Sequence, residues 1–308
     1  MNHEPLVYIV VVNLNGLNHL KYSIPSLLDI AYKNYHLVVV DNGSSDGSLE
    51  YIKTYGNKIK LIELEENIYW GGANNIAIVE VLKNGAEYIL LANNDLVVDN
   101  RLLKFGVKQM INNPTVVILG FDTVGEYAVA SIKDFHHKSQ EWQAPKISFT
   151  DHVGGCLMLV RAELFKQIGM FDEGYRFYGE EDDLERRAIW AGYKLARINL
   201  PAWHKGEGTI STANGFAKSR FALYSQIRLY LKEKSFFMAV FGLIKLLNIS
   251  SNPFYKVRPG FSHHARLRPS NPPINLLLFF QALIYNIKNI KEIRNTAQSD
   301  LCCISKNK

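Results

Sequence analysis

The sequence predicts an α/β fold with a mostly parallel central sheet flanked by helices, followed by a basic helical C-terminal extension. Three observations predict it. Apolar, β-branched runs alternate with helical patterns, these runs end in polar turns, and the charge of the chain reverses near residue 215. Alternating strands and helices favour a parallel sheet covered on both faces. Ligands of such sheets bind at the carboxyl ends of the strands, so the polar turns are the first candidates for a site.

The first third of the chain is predicted to contain four buried strands with helices between them. Short runs rich in Val, Ile and Leu indicate strands buried on both faces. The predicted strands are Leu6–Val12, Leu37–Val40, Ile59–Leu64 and Tyr88–Ala92. The predicted helices are Leu20–Ile30, Leu49–Tyr55 and Ala73–Asn84.

The remaining chain is predicted to complete the same domain and to add the extension. Residues 120–150 show no regular pattern. Later patterns indicate strands at Val153–Val160 and Leu195–Leu200, and helices at Glu163–Ile168, Leu184–Ala191, Phe216–Leu231, Phe236–Leu247 and Leu276–Ile293. We therefore expect one domain over residues 1–214, with halves of about 1–98 and 99–214, and an extension over 215–308.

The charge of the chain is unevenly distributed. The net charge is +6, but residues 1–214 contain 20 Lys and Arg against 26 Asp and Glu, whereas residues 215–308 contain 15 against 3. A basic segment of this kind favours an anionic partner, either membrane lipid or nucleic acid. No nucleic-acid-binding module is recognisable, so no nucleic-acid partner is expected. The alternative is a general solubility bias, which so large an excess disfavours.

Cysteine content and hydrophobicity indicate in which cellular compartment the protein is expected. Three cysteines in 308 residues form no disulfide framework, which favours a reducing compartment. The N-terminal residues lack the pattern of a signal peptide, and no apolar run approaches the ~20 residues of a membrane span. The expected location is the cytoplasm, peripheral at the inner face of the cell membrane if the extension binds lipid.

Two of the polar turns carry carboxylates. Asp95 ends the run Asn93-Asn94-Asp95 after the fourth strand, and strand periodicity predicts that Asn93 points the same way. A carboxylate and an amide at this spacing suit a divalent cation that bridges a diphosphate. Asp41 follows the second strand and is well placed for a ribose hydroxyl or a base N–H. Ordinary polar turns remain the alternative at both positions.

The segment from Asn67 to Asn75 carries two glycines before a predicted helix. Glycines there let the backbone approach a phosphate, and the N-terminus of a helix favours an anion. The segment lacks the Gly-Lys-Ser/Thr ending of a P-loop and the full dinucleotide fingerprint. The signal is therefore weak by itself.

Four consecutive carboxylates, Glu180 to Asp183, precede a helical pattern. Like charges this close repel each other, so the run should face water, a cation or a proton to be removed. For an isolated run the simpler interpretation is a solvated helix N-terminus, where the helix dipole favours acids.

Taken in order, these motifs resemble the family 2 inverting glycosyltransferases of the GT-A fold, especially their rhamnosyltransferase-like branch. The resemblance rests on Val-Val-Asp-Asn-Gly-Ser-Ser-Asp, Asn-x-x-x-Gly-Gly-Ala-Asn-Asn, Leu-Leu-Ala-Asn-Asn-Asp, Gly-Gly-Cys-Leu-Met-Leu-Val-Arg, and Phe-Asp-Glu followed by Tyr-Gly-Glu-Glu-Asp-Asp-Leu. A later histidine, His204, completes the set. The resemblance covers roughly residues 5–210.

The resemblance implies roles for individual residues. Asp95, Asn93 and His204 would hold a divalent cation, Mg²⁺ or Mn²⁺, and Asn93 replaces the first acid of the family's Asp-x-Asp motif. Glu181 occupies the position of the catalytic base, where Asp is commoner, and Asp182 is the reserve. Such a base, close to other carboxylates, should have a raised pKa. The residues implied to contact the nucleotide sugar are Asn13, Asp41, Asn67, Gly72, Asn74, Asn94 and Asp95.

The expected function is transfer of a sugar, with inversion, from a nucleotide-diphosphate donor to a hydroxyl of a glycan or lipid-linked acceptor in cell-surface polysaccharide synthesis. One alternative is a catalytically impaired protein that binds a sugar nucleotide or glycan, which Asn93 and Glu181 favour. A nucleotidyltransferase is less favoured because Val12–Gly16 carries no Lys or Arg. The helices of the extension are expected either to bind an anionic membrane surface or to pack on the protein or in a dimer.

Overall fold

The computed structural model describes residues 4–125, 131–139, 145–175, 178–206, 215–232, 236–251 and 272–293. The strands are β1 Val7–Asn13, β2 Tyr35–Asn42, β3 Ile59–Leu64, β4 Tyr88–Asn93, β5 Leu96–Val98, β6 Val116–Val124, β7 Ile147–Thr150, β8 Leu157–Arg161 and β9 Lys194–His204. The helices are α1 Leu17–Leu28, α2 Ser48–Lys53, α3 Tyr69–Lys83, α4 Leu102–Asn112, α5 Ile132–Ser139, α6 Ala162–Ile168, α7 Glu180–Trp190, α8 Gly215–Leu231, α9 Phe236–Ser251 and α10 Pro272–Lys288.

The first half of the sheet is parallel, as predicted. Strands β3, β2, β1 and β4 lie side by side in that order and all run in the same direction. Asn13 is in register with Asp41, and Val12 is in register with Asn93. The polar ends of β1, β2 and β4 therefore lie at one edge of the sheet.

The second half of the sheet contains the antiparallel pairs. Strand β8 is antiparallel to both β4 and β6, while β9 is parallel to β6 and antiparallel to β5 and β7. Strand β5 follows β4 in the chain but pairs with β9, which places Leu96 in register with His204. The end of β9 and the turn after β4 therefore lie next to each other.

Several element boundaries differ from the prediction. Helix α3 begins at Tyr69 instead of Ala73, and strand β8 begins at Leu157 instead of Val153. The delay in β8 has a local cause, because Gly154 takes a φ of +93° in the turn before the strand. Residues 120–150, where no pattern is visible in the sequence, include the end of β6 together with α5 and β7.

The main core lies on both faces of the sheet. Every residue of β1 is buried, and the side chains of β2 are buried from Leu37 onward. Helix α1 packs its buried positions, such as Leu20, Ile24 and Leu27, into the same cluster. This double-sided burial is what an apolar run without alternation indicates, and it fixes the strand ends on which the site is built.

The chain divides into two compact units. Unit 1 comprises Met1–Phe171 and Leu184–Thr209 and contains the sheet; unit 2 comprises Asp172–Asp183 and Ile210–Lys308. Unit 2 has a core of its own, formed by α8, α9 and α10 and including Leu223, Leu246 and Phe279. The short segment Asp172–Asp183 thus groups with the C-terminal helices, although the sequence pattern predicts it within 99–214.

None of the helices in the described ranges is both long enough and apolar enough to cross a bilayer.

Candidate functional site

Asn13 is hydrogen-bonded to two other residues that are implied to contact the nucleotide sugar, Asp41 and Asn94. Its Nδ2 donates to Oδ2 of Asp41 at 3.2 Å and to Oγ of Ser44 at 3.1 Å, while its Oδ1 accepts from Nδ2 of Asn94 at 2.8 Å. We call Asn13, Asp41, Ser44 and Asn94 the asparagine cluster. It ties together the ends of β1, β2 and β4.

Asp41 is buried and forms a turn as well as a cross-strand contact. Its side chain is held by the N–H of Ser44, which donates to Oδ1 at 2.9 Å, and by Asn13. The polar turn that the sequence analysis gives as the alternative is therefore present. It also holds the carboxylate at the ligand edge of the sheet, so a turn and a binding role are compatible.

Gly16 is a requirement of this site that sequence reasoning missed. A Cβ at this position would lie 2.2 Å from Nδ2 of Asn94 and 2.4 Å from Oδ1 of Asn13. Any larger residue would displace the hydrogen bond between these two amides. The signal was present in the sequence as the glycine of Asn13-Leu-Asn-Gly16, but only the fold shows what it approaches.

Asp95 and His204 form the second polar pair at this edge. Asp95 is fully buried, its Oδ2 accepts from the N–H of Gly206 at 3.1 Å, and Nε2 of His204 lies 3.1 Å from its Oδ1. The strand periodicity from which a shared direction of Asn93 and Asp95 is predicted does not extend to Asp95, so the shared direction stays a prediction. Asn94 and Asp95 form a turn between β4 and β5, so the alternation of β4 ends at Asn93.

The pKa of Asp95 reflects this pairing. Burial by itself would raise the pKa of the carboxyl, but the contact with His204 and the charges of His204 and His19 outweigh it. The pKa of Asp95 therefore lies below its ordinary value. The carboxylate is charged at neutral pH although it is buried.

These residues fit a divalent cation. Oδ1 of Asp95 is buried and accepts no well-oriented hydrogen bond from the residues that the structure describes, although His204 is within reach. A carboxylate oxygen and an imidazole nitrogen that lie side by side are a suitable pair of ligands for a metal. Asn93 lies half-buried at the end of β4, and its role as a further oxygen ligand stays a prediction.

The glycine-containing segment differs from the prediction. Because α3 begins at Tyr69, Gly71 and Gly72 lie within its first turns and not in a loop before it. A Cβ at Gly72 would make only ordinary contact, 3.4 Å from Ile68, so the fold itself does not demand glycine there. The prediction that these glycines shape a preceding loop is wrong; a phosphate contact at Gly72 stays a prediction.

Asn67 and Asn74 have structural contacts. Oδ1 of Asn67 accepts from Nδ2 of Asn42 at 3.0 Å and from the N–H of Tyr69 at 2.8 Å. Asn74 is buried and donates to the carbonyl of Trp70, one helical turn earlier. These contacts hold the start of α3 beside the end of β2, while a direct contact of either residue with a donor stays a prediction.

The acidic run is not a solvated helix face. Helix α7 begins at Glu180, and all four carboxylates lie in its first turn. Glu180, Glu181 and Asp183 are buried, and Asp182 is half-buried. The N–H of Gly179 donates to Oε2 of Glu181 at 3.2 Å, in a turn where Tyr178 and Gly179 have φ of +62° and +99°. The simpler interpretation is therefore wrong for three of the four acids.

A raised pKa occurs in this run at Glu180. Burial, and next the negative charge of Glu181, raise the pKa of Glu180 well above its ordinary value. Its Oε2 has no hydrogen-bond partner among the residues that the structure describes. Two adjacent carboxyls of which one resists ionisation behave as a coupled pair.

Comparison with known proteins identifies the family. The sequence profile of Glycosyl transferase family 2 matches residues 8–169, just over half of the chain. The chain belongs to glycosyl transferase family 2. The match includes the whole asparagine cluster and Asp95, and it ends before the acidic run.

Similar sequences and structures agree with this family. An uncharacterized glycosyltransferase of Rickettsia typhi is 28% identical over 203 residues, which is 64% of this chain and 60% of the relative. A second, from Rickettsia prowazekii, is 27% identical over the same length. The chain thus spans about 60% of the length of these curated relatives.

Solved structures establish the fold. The mannosyltransferase PcManGT of Pyrobaculum calidifontis, solved with GDP-Man and Mn²⁺, superposes with a TM-score of 0.57 at 17% identity, covering 99% of this chain and 88% of that one. S. aureus TarS 1-349 with UDP-GlcNAc gives 0.58 at 16% identity, covering 97% and 89%. GalNAc-T7 with UDP, GalNAc and Mn²⁺ gives 0.61 at 15% identity, covering 94% and 58%. The predicted GT-A fold is confirmed; the rhamnosyltransferase-like branch stays a prediction.

Sequence reasoning also missed an anchor in this family 2 chain. Glu185 is buried, and its Oε1 accepts from the N–H of Val153 at 3.0 Å and from that of Gly154 at 3.2 Å, while its Oε2 lies 2.8 Å from Nδ1 of His152. One carboxylate thus holds the turn before β8. No spacing in the sequence links residues so far apart.

Proposed function

We propose that this protein transfers a sugar from a nucleotide-diphosphate donor to a hydroxyl of a glycan or lipid-linked acceptor, with inversion at the anomeric carbon. The observation that carries the proposal is the pair of buried Asp95 and half-buried His204 beside the asparagine cluster, whose members lie at the carboxyl ends of parallel strands. Family membership supports the reaction class. The curated relatives are themselves uncharacterized, so the donor sugar is part of the proposal.

The donor is proposed to bind at the asparagine cluster. Asp41 would accept a hydrogen bond from the ribose or base, as the resemblance implies, because its turn holds a charged or polar acceptor at the sheet edge. Asp95 and His204, with Asn93, would hold Mg²⁺ or Mn²⁺. The cation, when bound, neutralises charge that develops on the leaving diphosphate. Both PcManGT and GalNAc-T7 were solved with Mn²⁺.

Glu181 is proposed as the base, with Asp182 as the reserve. A base must remove the proton of the acceptor hydroxyl as the oxygen attacks the anomeric carbon. Burial and the charge of Glu181 raise the pKa of Glu180 well above its ordinary value, which supports a proton-accepting role for a carboxylate in this turn. The proton then moves from the acceptor oxygen to Oε1 or Oε2 of Glu181.

A donor screen tests the proposal. Nucleotide sugars, starting with dTDP-rhamnose, UDP-glucose, UDP-galactose and UDP-N-acetylhexosamines, are tested for hydrolysis with and without Mn²⁺. We expect slow metal-dependent hydrolysis of at least one donor, lost by about a hundredfold or more in Asp95→Asn because the cation loses its buried carboxylate. Asp29→Asn is the matched control, since Asp29 is exposed at the end of α1.

Two further results would change the assignment. If Asp182→Asn abolishes hydrolysis while Glu181→Gln retains nearly full rate, the base is Asp182. If a nucleotide sugar binds with thermal stabilisation but is never cleaved, the protein belongs to the alternative class, a sugar-nucleotide-binding protein that has lost the chemistry. Binding of no donor at all would contradict both.

The C-terminal helices are proposed to rest on an anionic membrane surface. Their exposed face is largely apolar in α9 and α10, and residues 215–308 carry 15 Lys and Arg against 3 Asp and Glu. An apolar face with an excess of positive charge fits the interface of an anionic bilayer, where a lipid-linked acceptor resides. The exposed apolar side chains are Phe237, Met238, Phe241, Ile244, Leu276, Leu277, Phe280, Ile284 and Ile287.

Flotation with liposomes tests the membrane partner. We expect binding to vesicles that contain phosphatidylserine, weaker binding to neutral vesicles, and loss of binding in Phe237→Ser/Phe241→Ser. Ile111→Ser in α4 is the control, because Ile111 is an exposed apolar residue of unit 1. A stable dimer with no flotation would instead assign this face to a second copy of the chain.

A further inference from the structure

Unit 2 contains a buried cluster of two carboxylates and two cations that the proposed chemistry does not use. The ion cluster consists of Asp172, Asp183, Arg228 and Lys232, whose side chains are 2–6% exposed. Buried charges are tolerated when they are paired and hydrogen-bonded. Here the two positive and two negative charges balance.

Lys232 connects both ends of one short segment. Its Nζ donates to Oδ2 of Asp172 and to Oδ1 of Asp183, each at 2.7 Å. Asp172 and Asp183 are the first and last residues of the short stretch that belongs to unit 2 together with the C-terminal helices. We call residues 172–183 the acidic segment. A single ammonium group therefore holds both ends of the segment that carries Glu181.

Arg228 holds the same segment at its beginning. Its Nε donates to Oδ2 of Asp172 at 3.0 Å and its Nη2 donates to Oδ1 at 2.9 Å, a bidentate pair. The guanidinium carbon of Arg228 and the Nζ of Lys232 also lie 5.5 Å and 5.6 Å from the centre of the Tyr175 ring. Arg228 lies in the last turn of α8, and Lys232 directly follows the helix. The N–H of Lys232 donates to the carbonyl of Arg228 at 3.2 Å, so the two residues lie on the same side, one helical turn apart.

The backbone of the acidic segment approaches this face closely. A Cβ at Gly174 would lie 2.2 Å from the guanidinium carbon of Arg228. At Gly179, where φ is +99°, a Cβ would lie 3.2 Å from the Tyr175 ring and 3.4 Å from Ser225. A side chain at either position would have to displace its neighbour, Arg228 at Gly174 or the Tyr175 ring at Gly179.

We propose that Arg228 and Lys232 are positioning residues for proton transfer by Glu181. The proposal rests on the proposed function, since it needs Glu181 or its neighbour to act as the base. Asp183 lies two residues after Glu181 in the first turn of α7, so the bond from Lys232 fixes the rotation of that turn about its axis. Small displacements of a catalytic group cost rate steeply. The first helix of the basic extension thereby becomes part of the catalytic apparatus.

The test separates positioning from general stability. Donor hydrolysis, donor binding and hydrogen–deuterium exchange are measured for the full-length wild type, Lys232→Met, Lys232→Arg, Asp183→Asn and the double variant Lys232→Met/Asp183→Asn. Lys288→Met is the matched control, because it removes one exposed positive charge from α10 of the same unit.

We expect Lys232→Met to lower kcat about tenfold or more while the Kd for the donor changes less than about twofold. The acidic limb of its kcat profile against pH should shift, and exchange should rise in residues 172–183. Lys232→Arg should recover most of the rate. The double variant should lose no more than the larger single loss, because both changes break the contact between Lys232 and Asp183.

Each result supports or overturns the role. Unchanged kcat and unchanged exchange in Lys232→Met overturn it. A parallel loss of rate, donor binding and thermal stability also overturns it, because that pattern describes stability alone. If the wild type hydrolyses no donor, the proposed function fails, and the positioning role fails with it; an active wild type with an equally active Lys232→Met removes the positioning role alone.

Discussion

The asparagine cluster of unit 1 and the ion cluster of unit 2 hold carboxylates by different means. In the asparagine cluster, Asp41 is held by an amide and a backbone N–H, both neutral donors. In the ion cluster, Asp172 and Asp183 are held by Arg228 and Lys232. Neutral donors orient a carboxylate without cancelling its charge, whereas cations cancel it. Asp41, which no cation neutralises in these contacts, is therefore the better candidate for binding a ligand, whereas Asp172 and Asp183 serve the structure.

The largest loss of stability is expected when the asparagine cluster is disrupted at Asn13. Asn13→Ala should lower the free energy of unfolding by about 2–4 kcal/mol, because Asn94 and Asp41 then lose hydrogen bonds inside the protein. The loss should be the same at pH 5 and pH 8, because the donors of both bonds are side-chain amides, which do not titrate. Urea unfolding measures it.

Asn57→Ala is the control for this prediction, because Asn57 is exposed in a short 3₁₀ turn. A loss in Asn13→Ala no larger than in the control would show that the asparagine cluster does not hold the strand ends together.

The stability that the ion cluster contributes should depend on pH through Asp172. Burial would raise the pKa of Asp172, but the charges of Lys232 and Arg228 and their hydrogen bonds lower it to about 2. A lowered pKa contributes stability above the ordinary value near 3.8, and this contribution is lost as the pH falls through about 2. The wild type should therefore lose about 2 kcal/mol more than Asp172→Asn between pH 5 and pH 2. Acid unfolding of both proteins checks it, and parallel curves would contradict the pairing.

The smallest effect is expected at Glu180, and its sign is opposite. A raised pKa means that the folded state resists ionisation, so Glu180 costs stability increasingly as the pH rises above its ordinary range near 4.5. Glu180→Gln removes that cost. The variant should gain in melting temperature relative to the wild type as the pH goes from 5 to 8, by a few degrees. If the difference in melting temperature does not grow with pH, Glu180 does not resist ionisation in the folded protein.

The parts of the fold that were predictable are those governed by local pattern. The ends of β1, β2 and β4 follow from apolar runs that stop at Asn13, Asp41 and Asn93, because strand burial is visible in composition. The start of α3 was not predictable in the same way. Glycines usually mark a loop, but Gly71 and Gly72 lie buried in the first turns of the helix.

The parts of the site that were not predictable depend on contacts between distant residues. The pairing of β5 with β9 brings His204 to Asp95, and nothing in the spacing of these residues specifies that pairing. The resemblance to the family supplied His204. No pattern in the sequence indicated Lys232, whose bond to buried Asp183 joins residues 49 positions apart.

One lysine joins the two ends of the acidic segment. Nζ of Lys232 donates to Asp172 at the beginning of the segment and to Asp183 at its end, each at 2.7 Å. The two ends therefore cannot move apart without breaking a buried ion pair. Loss of this one ammonium group would release both ends of the segment at once.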